Sequence, residues 1–336
     1  MKKFSVIVPV YNRPAEVSDL LESLATQTDH GFEVVIVEDG STVPCADVVA
    51  RYAADVDVKY FAKPNEGRSI ARNYGMARAS GDYFVFFDSD CVIPPAYFAT
   101  LRSELEAHPA DCYGAPDAAH ESFTPVQKAI NYAMTAFLTT GGIRGGKVQM
   151  EKFVPRTFNM GFSRAVYDRV GGFREMFSED IDMSTRISRA GFSTTLLRSC
   201  PVWHKRRVSL AKFWRQVHVF GQSRITLQQL YPGSLKAVHA LPAIAVIGWL
   251  ALIVLAVTVS PWFLLPFALY FGAIFIGAWR KVRSLKVAAL AIPAAAIQIT
   301  GYGTGFIRAF TWQKLLGHGR DVAREIEIRK GANEKL

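Results

Sequence analysis

The sequence predicts an α/β domain with a mostly parallel sheet, followed by an α-helical transmembrane region. Three observations support this fold class. Short apolar runs alternate with helix-like patterns through residues 4–90, the runs end in polar residues, and long apolar segments fill the last third of the chain. Alternating strands and helices are typical of parallel sheets with right-handed crossovers.

Four apolar runs predict the buried strands, and amphipathic or Ala-rich segments between them predict the helices. The strands are expected at residues 4–10, 32–37, 58–61 and 83–87. The first helix begins at Pro14, which suits an N-terminal helical position, and Leu20, Leu21 and Leu24 form its inward stripe. Further helices are expected at residues 46–54 and 69–79, another strand at 111–116 and helical spacing at 123–140.

Polar residues follow the strands and would gather at one edge of the sheet, where ligands bind in α/β folds. Asp88 and Asp90 follow the fourth strand, and alternation allows both carboxylates to face the same cleft. Carboxylate oxygens suit Mg²⁺ or Mn²⁺. The alternative is that these acids only form a turn.

The first strand-to-helix turn carries neither a G-x-G-x-x-G nor a Walker pattern, which disfavours those two nucleotide-binding modes. A nucleotide could still be held by Asp39, with Arg68 and Arg72 near its phosphates. The alternative for the two arginines is a solvated helix face.

A set of ordered motifs resembles the family 2 glycosyltransferases over residues 4–204. The set consists of Val8-Pro9-Val10-Tyr11-Asn12, Glu38-Asp39-Gly40-Ser41, Asn65 to Asn73, Asp88-Ser89-Asp90, Asn159 to Ser163, Gly171-Gly172-Phe173 and Ser178 to Asp182. The resemblance implies the GT-A fold, a nucleotide-sugar donor and an inverting transfer.

The resemblance also assigns roles on the donor side. Asp39 resembles the uracil contact, Asp88 a donor contact near the ribose or sugar, and Asp90 the metal ligand, while Pro9 and Tyr11 belong to the donor-binding motif. Arg68 and Arg72 complete the expected donor-binding set.

The Glu179-Asp180 pair resembles the catalytic acids of the family. We assign Asp180 as the general base and Glu179 as support for the acceptor or the fold; Ser178 is expected to cap the helix that follows. Acids in a first helical turn can also simply favour the helix dipole. Some GT-A enzymes place a histidine after the last strand, which makes His204 a candidate metal or diphosphate ligand. The alternative is a purely structural role for His204.

The glycine-rich segment 141–147 contains the basic residues Arg144 and Lys147. Four glycines give it high backbone entropy. A lid over the donor diphosphate and an ordinary surface loop are equally compatible with this composition.

Composition favours a membrane protein: 50% of the residues are hydrophobic, 20% are charged, and the net charge is +10. The basic residues cluster around the apolar segments, which favours an anionic membrane surface over nucleic acid. The four cysteines form no CxxC pair, so neither a zinc site nor a disulfide framework is indicated, and reduced thiols are expected.

We predict four consecutive regions: a catalytic domain (1–207), an amphipathic interfacial region (208–236), membrane segments (237–311) and a basic tail (312–336). Segments 238–259 and 262–279 are long enough to span. Basic flanks place them as a hairpin in the inner membrane with the catalytic domain in the cytoplasm. For segment 287–306 we favour a re-entrant or interfacial hairpin over a third span, because the tail is basic.

The predicted function is transfer of a hexosyl group from a UDP-sugar to a hydroxyl of a lipid-linked glycan, in envelope or exported polysaccharide synthesis, with Mg²⁺ or Mn²⁺ as cofactor. The alternatives are direct glycosylation of polyprenyl phosphate and an inactive membrane scaffold. No Q-x-x-R-W motif is present, which disfavours a processive synthase. The sequence assigns neither the sugar nor an oligomeric state.

Overall fold

The structure, a computed structural model, describes residues 3–141, 153–205 and 207–317. The chain forms two compact units. The sheet unit comprises residues 1–120 and 153–205, and the helical unit comprises residues 121–152 and 206–336. The four regions predicted from the sequence remain predictions about domain organisation.

The sheet unit is built on a seven-stranded sheet. In spatial order its strands are β3 (Val58–Lys63), β2 (Phe32–Asp39), β1 (Phe4–Val10), β4 (Tyr83–Phe86), β8 (Met160–Ser163), β6 (Cys112–Gly114) and β9 (Thr194–Leu196). The first four run parallel, whereas β8 is antiparallel to both of its neighbours. The predicted mostly parallel sheet is confirmed.

Twelve α-helices are described. The sheet unit contains α1 (Pro14–Ala25), α2 (Ala46–Tyr52), α3 (Arg68–Met76), α4 (Tyr97–Ala107), α7 (Arg164–Val170) and α8 (Glu179–Arg189). The helical unit contains α5 (Pro125–Thr135), α6 (Phe137–Thr140), α9 (Leu210–Leu230), α10 (Ala237–Thr258), α11 (Leu265–Val282) and α12 (Leu285–Phe310). A 3₁₀ turn, Pro261–Leu264, precedes α11, and a π-helical turn, Thr311–Leu315, follows α12.

Both faces of the large sheet are covered. Val6 and Val8 of β1 pack in one buried cluster with Leu20 and Phe98, while Ile7 packs in another on the opposite face. Alternating residues of one strand therefore serve two cores, which explains why its sequence is continuously apolar.

A second, three-stranded sheet was not predicted. It consists of β5 (Cys91–Val92), β10 (Val202–His204) and β7 (Asp117–Ala118). In its register His204 lies opposite Cys91, and Val202 lies opposite Asp117. Two-residue strands carry too little pattern to be recognised, yet these pairings place distant polar residues together.

Two local predictions are wrong. Ser178 stands at the N-cap position of α8, but its backbone is left-handed (φ 62°) and its side chain does not cap the helix. A capping hydroxyl reaches the first helical amides from an extended backbone, which Ser178 lacks. The segment expected to form a hairpin, 287–306, lies within the single helix α12, which continues through Pro293.

Three helical segments of the described chain are long and apolar enough to cross a membrane. They are Ala237–Thr258, Pro261–Val282 and Leu285–Leu315, with mean hydropathies of 2.6, 1.8 and 1.4. This finding supports membrane association. The predicted lid, apart from Gly141, and the tail beyond Gly317 lie outside the described residues.

Candidate active site

Asp39 ends β2 and shapes the turn that leads into α3. Its Oδ1 accepts from Lys63 Nζ at 2.7 Å and from the Glu66 amide at 3.0 Å, and its Oδ2 accepts from the Gly67 amide at 2.9 Å. Gly67 adopts φ 101°, a conformation that favours glycine. The carboxylate is therefore already held in place by its own chain, and its contact with uracil stays a prediction.

Two further predicted donor contacts precede the first helix. Pro9 lies within β1 and Tyr11 follows it, with about half of its surface exposed to solvent (51%). An aromatic ring exposed at a strand end is available for stacking against a ligand base.

Arg72 is buried between two carboxylates. Its Nη1 donates to Glu179 Oε1 at 2.9 Å and its Nη2 donates to Asp88 Oδ1 at 2.8 Å, while its side chain is only 1% exposed. Arg68 Nη2 reaches the other oxygen of Glu179 at 2.7 Å. A solvated helix face is thus wrong for Arg72, whereas Arg68 is half exposed.

The two adjacent acids at the start of α8 occupy different environments. Glu179 is 3% exposed and is balanced by two arginines. Asp180 is more accessible, at 18%. Its Oδ2 lies 3.4 Å from Arg156 Nη1, and its Oδ1 accepts from the Ile181 amide at 2.8 Å. Glu179 is therefore enclosed by protein, whereas part of the Asp180 side chain is open to solvent.

Asp90 and His204 meet through the three-stranded sheet. His204 Nε2 lies 3.1 Å from Asp90 Oδ1, and its Nδ1 lies 3.6 Å from Oδ2 of the buried Asp117. The imidazole also stacks on Phe158, with ring centroids 5.0 Å apart. His204 is therefore held between two carboxylates and an aromatic ring.

The donor atoms at this position fit a divalent cation. Neighbouring ligands of an octahedral cation, each about 2.1 Å from it, stand about 3 Å apart, which matches the separation of the Asp90 and His204 atoms. Cys91 lies within the same cluster. Burial, together with the charges of Asp90 and Asp88, raises the pKa of its thiol well above the usual value. The carboxylate oxygen of Asp90 is a type of donor that suits Mg²⁺ and Mn²⁺.

The strand alternation that we predicted for Asp88 and Asp90 does not extend to these residues. Strand β4 ends at Phe86, so the alternation stops before both acids. Asp88 instead pairs with Arg72, and Asp90 lies against His204.

Sequence reasoning missed two residues of this region, Asp117 and Arg156. Asp117 belongs to a two-residue strand, and Arg156 lies between regular elements. Neither position carries a local motif; only the fold brings them beside His204 and Asp180.

The catalytic region matches a known family. Residues 5–171 match the sequence profile described as Glycosyl transferase family 2. An uncharacterised glycosyltransferase of Rickettsia bellii is 43% identical over 88 residues, which cover 26% of this chain and 13% of that protein. Validoxylamine A glucosyltransferase of Streptomyces hygroscopicus subsp. jinggangensis is 31% identical over 227 residues, covering 58% of this chain and 53% of that protein. The chain thus spans about half or less of the length of these curated relatives.

A solved structure shares the fold. The mannosyltransferase PcManGT of Pyrobaculum calidifontis, solved with GDP-Man and Mn²⁺, superimposes with a TM-score of 0.54 at 19% sequence identity. The superposition covers 94% of this chain and 87% of that chain.

Proposed function

The chain carries the catalytic domain of a family 2 glycosyltransferase, and from that premise we propose that it transfers a hexosyl group from a UDP-sugar to a hydroxyl of a lipid-linked glycan. The transfer inverts the anomeric centre. The observation that carries this proposal is the unequal pair at the start of α8, where Glu179 is buried and neutralised while Asp180 is accessible.

Asp180 is the proposed general base. In a single displacement, the acceptor oxygen bonds to the anomeric carbon while the bond from that carbon to the diphosphate oxygen breaks. The acceptor proton passes to the Asp180 carboxylate, and the electron pair leaves with the nucleoside diphosphate. General-base catalysis of this kind contributes about 10²- to 10⁴-fold to the rate.

A separate group of residues is proposed to bind the nucleotide part of the donor. Asp39, Pro9 and Tyr11 are proposed to hold the nucleoside, with Asp88 near the ribose or sugar. Arg72 fixes Asp88 directly, and Arg68 presents its half-exposed charge beside it.

Asp90 and His204 would hold the divalent cation, and the buried Asp117 would orient the imidazole. A Mn²⁺ or Mg²⁺ ion at such a site supplies positive charge that stabilises the departing diphosphate. The mixed oxygen and nitrogen donors favour Mn²⁺ over Mg²⁺, which prefers oxygen ligands.

Membrane segments would keep the enzyme close to the proposed lipid-linked acceptor. Basic residues flank the base of the α10–α11 hairpin, and the positive-inside rule then orients the catalytic domain toward the cytoplasm of the inner membrane. Nucleotide sugars and inner-leaflet lipid-linked glycans meet on that side. The proposed partners include no nucleic acid.

The alternative acceptor is polyprenyl phosphate itself. A phosphate oxygen is already ionised and needs no base, and the neighbouring Arg156 would offset repulsion from Asp180. The contact between Arg156 and Asp180 keeps this alternative open. A phosphate acceptor would, however, leave the accessible Asp180 carboxylate without a chemical role.

The test is a transfer assay with the full chain in native membranes, supplied with a panel of nucleotide sugars. Each donor is offered with lipid-linked saccharide or with bare polyprenyl phosphate, for the wild type and Asp180→Asn. Asp168→Asn, an exposed acid on α7, is the matched control. We expect Asp180→Asn to lower transfer to the saccharide by ~10²-fold or more, with donor binding unchanged.

Two results would contradict the proposal. A faster reaction with bare polyprenyl phosphate that survives Asp180→Asn would establish the alternative acceptor. Absence of transfer and of donor hydrolysis with every nucleotide sugar would favour an inactive scaffold.

A further inference from the structure

We infer that α12 does not cross the bilayer, although its length and hydropathy would allow it. It forms the buried centre of a helical platform, defined as α5, α9 and α12, that lies on an anionic membrane surface. Only the hairpin of α10 and α11 crosses. The inference rests on the membrane association proposed above and adds its topology.

The three apolar helices differ in how much of their apolar side chains is exposed. In α10 and α11, large apolar side chains face outward; Leu250 is 60% exposed, Val257 83% and Ile276 51%. In α12, every residue from 290 to 307 is buried or half-buried. A helix that is apolar on all sides is either a membrane span or a core helix. Protein covers much more of α12 than of the other two helices, with 44% of its most apolar window buried against 11% in each of them, so lipid is not needed to explain its apolar composition.

The contacts of α12 with the hairpin occur at widely separated points along its length. Ala278 of α11 packs in one buried cluster with Ala288 of α12. Pro242 of α10 lies against Gly303, where an added Cβ would stand 2.5 Å from the Pro242 carbonyl oxygen. Along α12, Ala288 and Gly303 are about 22 Å apart at a rise of 1.5 Å per residue.

The corresponding residues of the hairpin, in contrast, lie at similar distances from its base. Pro242 lies about 7 Å from the start of α10, and Ala278 lies about 6 Å from the end of α11. The hairpin arms also approach each other further along, where the rings of Trp249 and Phe271 are 5.6 Å apart. A third span parallel to the arms would contact the basal residues of both arms with the same part of its own length. The observed contacts instead indicate that α12 runs across the base of the hairpin.

A helix with charged side chains packs along the C-terminal part of α12. The backbone of α9 packs closely against it: added Cβ atoms at Gly221 and Gly305 would collide with the carbonyls of Tyr302 and His218. Gln229 donates to a side chain in the following turn, Gln313 Oε1, at 3.1 Å. Helix α9 carries charged side chains at residues 212, 215 and 224. If α12 crossed the bilayer, these charges would enter the hydrocarbon, which is strongly unfavourable.

The charge of this region identifies the surface that the platform fits. Residues 183–320 contain no Asp or Glu. Exposed basic residues concentrate where the hairpin meets the platform, namely Lys236, Arg280, Lys281, Arg283 and Lys286. Cations at the base of a membrane hairpin attract anionic lipid headgroups.

Single cysteines in the full chain test the topology. We place them at the hairpin tip (Ser260→Cys), the start of α10 (Lys236→Cys) and the two ends of α12 (Ala289→Cys and Gly317→Cys). Each variant is treated with an impermeant maleimide in intact cells and in inverted vesicles. The chain without an added cysteine is the control, since its four native thiols are buried.

We expect Lys236→Cys, Ala289→Cys and Gly317→Cys to label from one side and Ser260→Cys only from the other. Labelling of Gly317→Cys from the Ser260 side would show that α12 crosses and would overturn the inference. Labelling of all four from one side would overturn it as well, because the hairpin would not span. Sugar transfer measured in the same membranes is a separate readout, so failure of the topology is distinguishable from failure of the proposed reaction.

Discussion

Arg72 and Glu179 are joined by a 2.9 Å hydrogen bond although they are 107 residues apart in sequence. Both side chains are almost completely buried. The pair connects α3, which follows the turn held by Asp39, to the first turn of α8, which carries Asp180. The proposed donor and acceptor sides of the site therefore share one buried ionic contact.

Replacing Arg72 with methionine should destabilise the sheet unit strongly. The substitution leaves the Glu179 carboxylate buried without its main partner, and removal of one member of such a pair costs about 3–5 kcal/mol. Chemical denaturation of the full chain in detergent measures the free energy of unfolding. Arg68→Met is the matched control, because Arg68 contacts the same carboxylate from a half-exposed position; its cost should be about 0–1 kcal/mol. Equal effects of the two variants would refute a special role for Arg72.

Asp117→Asn should weaken binding of Mn²⁺ without removing any proposed metal ligand. The Asp117 carboxylate faces Nδ1 of His204, and loss of such an outer partner typically lowers metal affinity about 10- to 100-fold. Titration of the full chain with Mn²⁺, followed by electron paramagnetic resonance in the presence of UDP, gives the dissociation constant. Asp111→Asn serves as control, since Asp111 bonds to Ser193 at a remote sheet edge. An unchanged constant for Asp117→Asn would show that His204 needs no such support.

Glu33 should make the stability of the sheet unit depend on pH. Burial disfavours its charge, but hydrogen bonds from Lys59 and Ser5, both at 2.6 Å, and from Ser80 outweigh that effect and lower its pKa from 4.5 to about 2. Because the folded pKa is the lower one, the stabilisation is present above about pH 4.5 and is lost as the pH falls through about 2. This difference in pKa corresponds to about 3 kcal/mol.

Glu33→Gln should therefore unfold more easily at pH 7 and lose less stability between pH 4.5 and 2 than the wild type. Denaturation curves at a series of pH values measure both effects, with the exposed Glu106→Gln as control. Parallel pH profiles for wild type and Glu33→Gln would rule out this source of acid sensitivity.

The close approach of α9 and α12 depends on glycine. A methyl group at Gly305 would collide with the His218 carbonyl, so Gly305→Ala should destabilise the helical unit by about 1–3 kcal/mol. At Gly272 of α11, an added methyl meets no atom within 4 Å. Gly272→Ala should accordingly be neutral or slightly stabilising, because alanine favours helix. Thermal unfolding of the two variants in the same detergent compares them directly, and a harmless Gly305→Ala would contradict the observed packing.

Local sequence determined much of this protein. Continuous apolar runs specify strands buried on both faces, which is why β1 to β4 and the helices between them were predicted close to their observed positions. The family motifs carried the enzyme class, because the residues of each motif lie within a few positions of one another. Length and hydropathy likewise sufficed to find α10 and α11.

The tertiary structure alone decided which of these residues meet. Asp90, His204 and Asp117 converge through pairing between strands of two or three residues, which leave too short a pattern to recognise. The sequence allows Arg72 to lie on a solvated helix face, whereas the structure buries it between Asp88 and Glu179. Hydropathy cannot distinguish a helix surrounded by lipid from one surrounded by protein, since both require apolar surfaces. The surroundings of α12 were therefore fixed only by its contacts with α5, α9, α10 and α11.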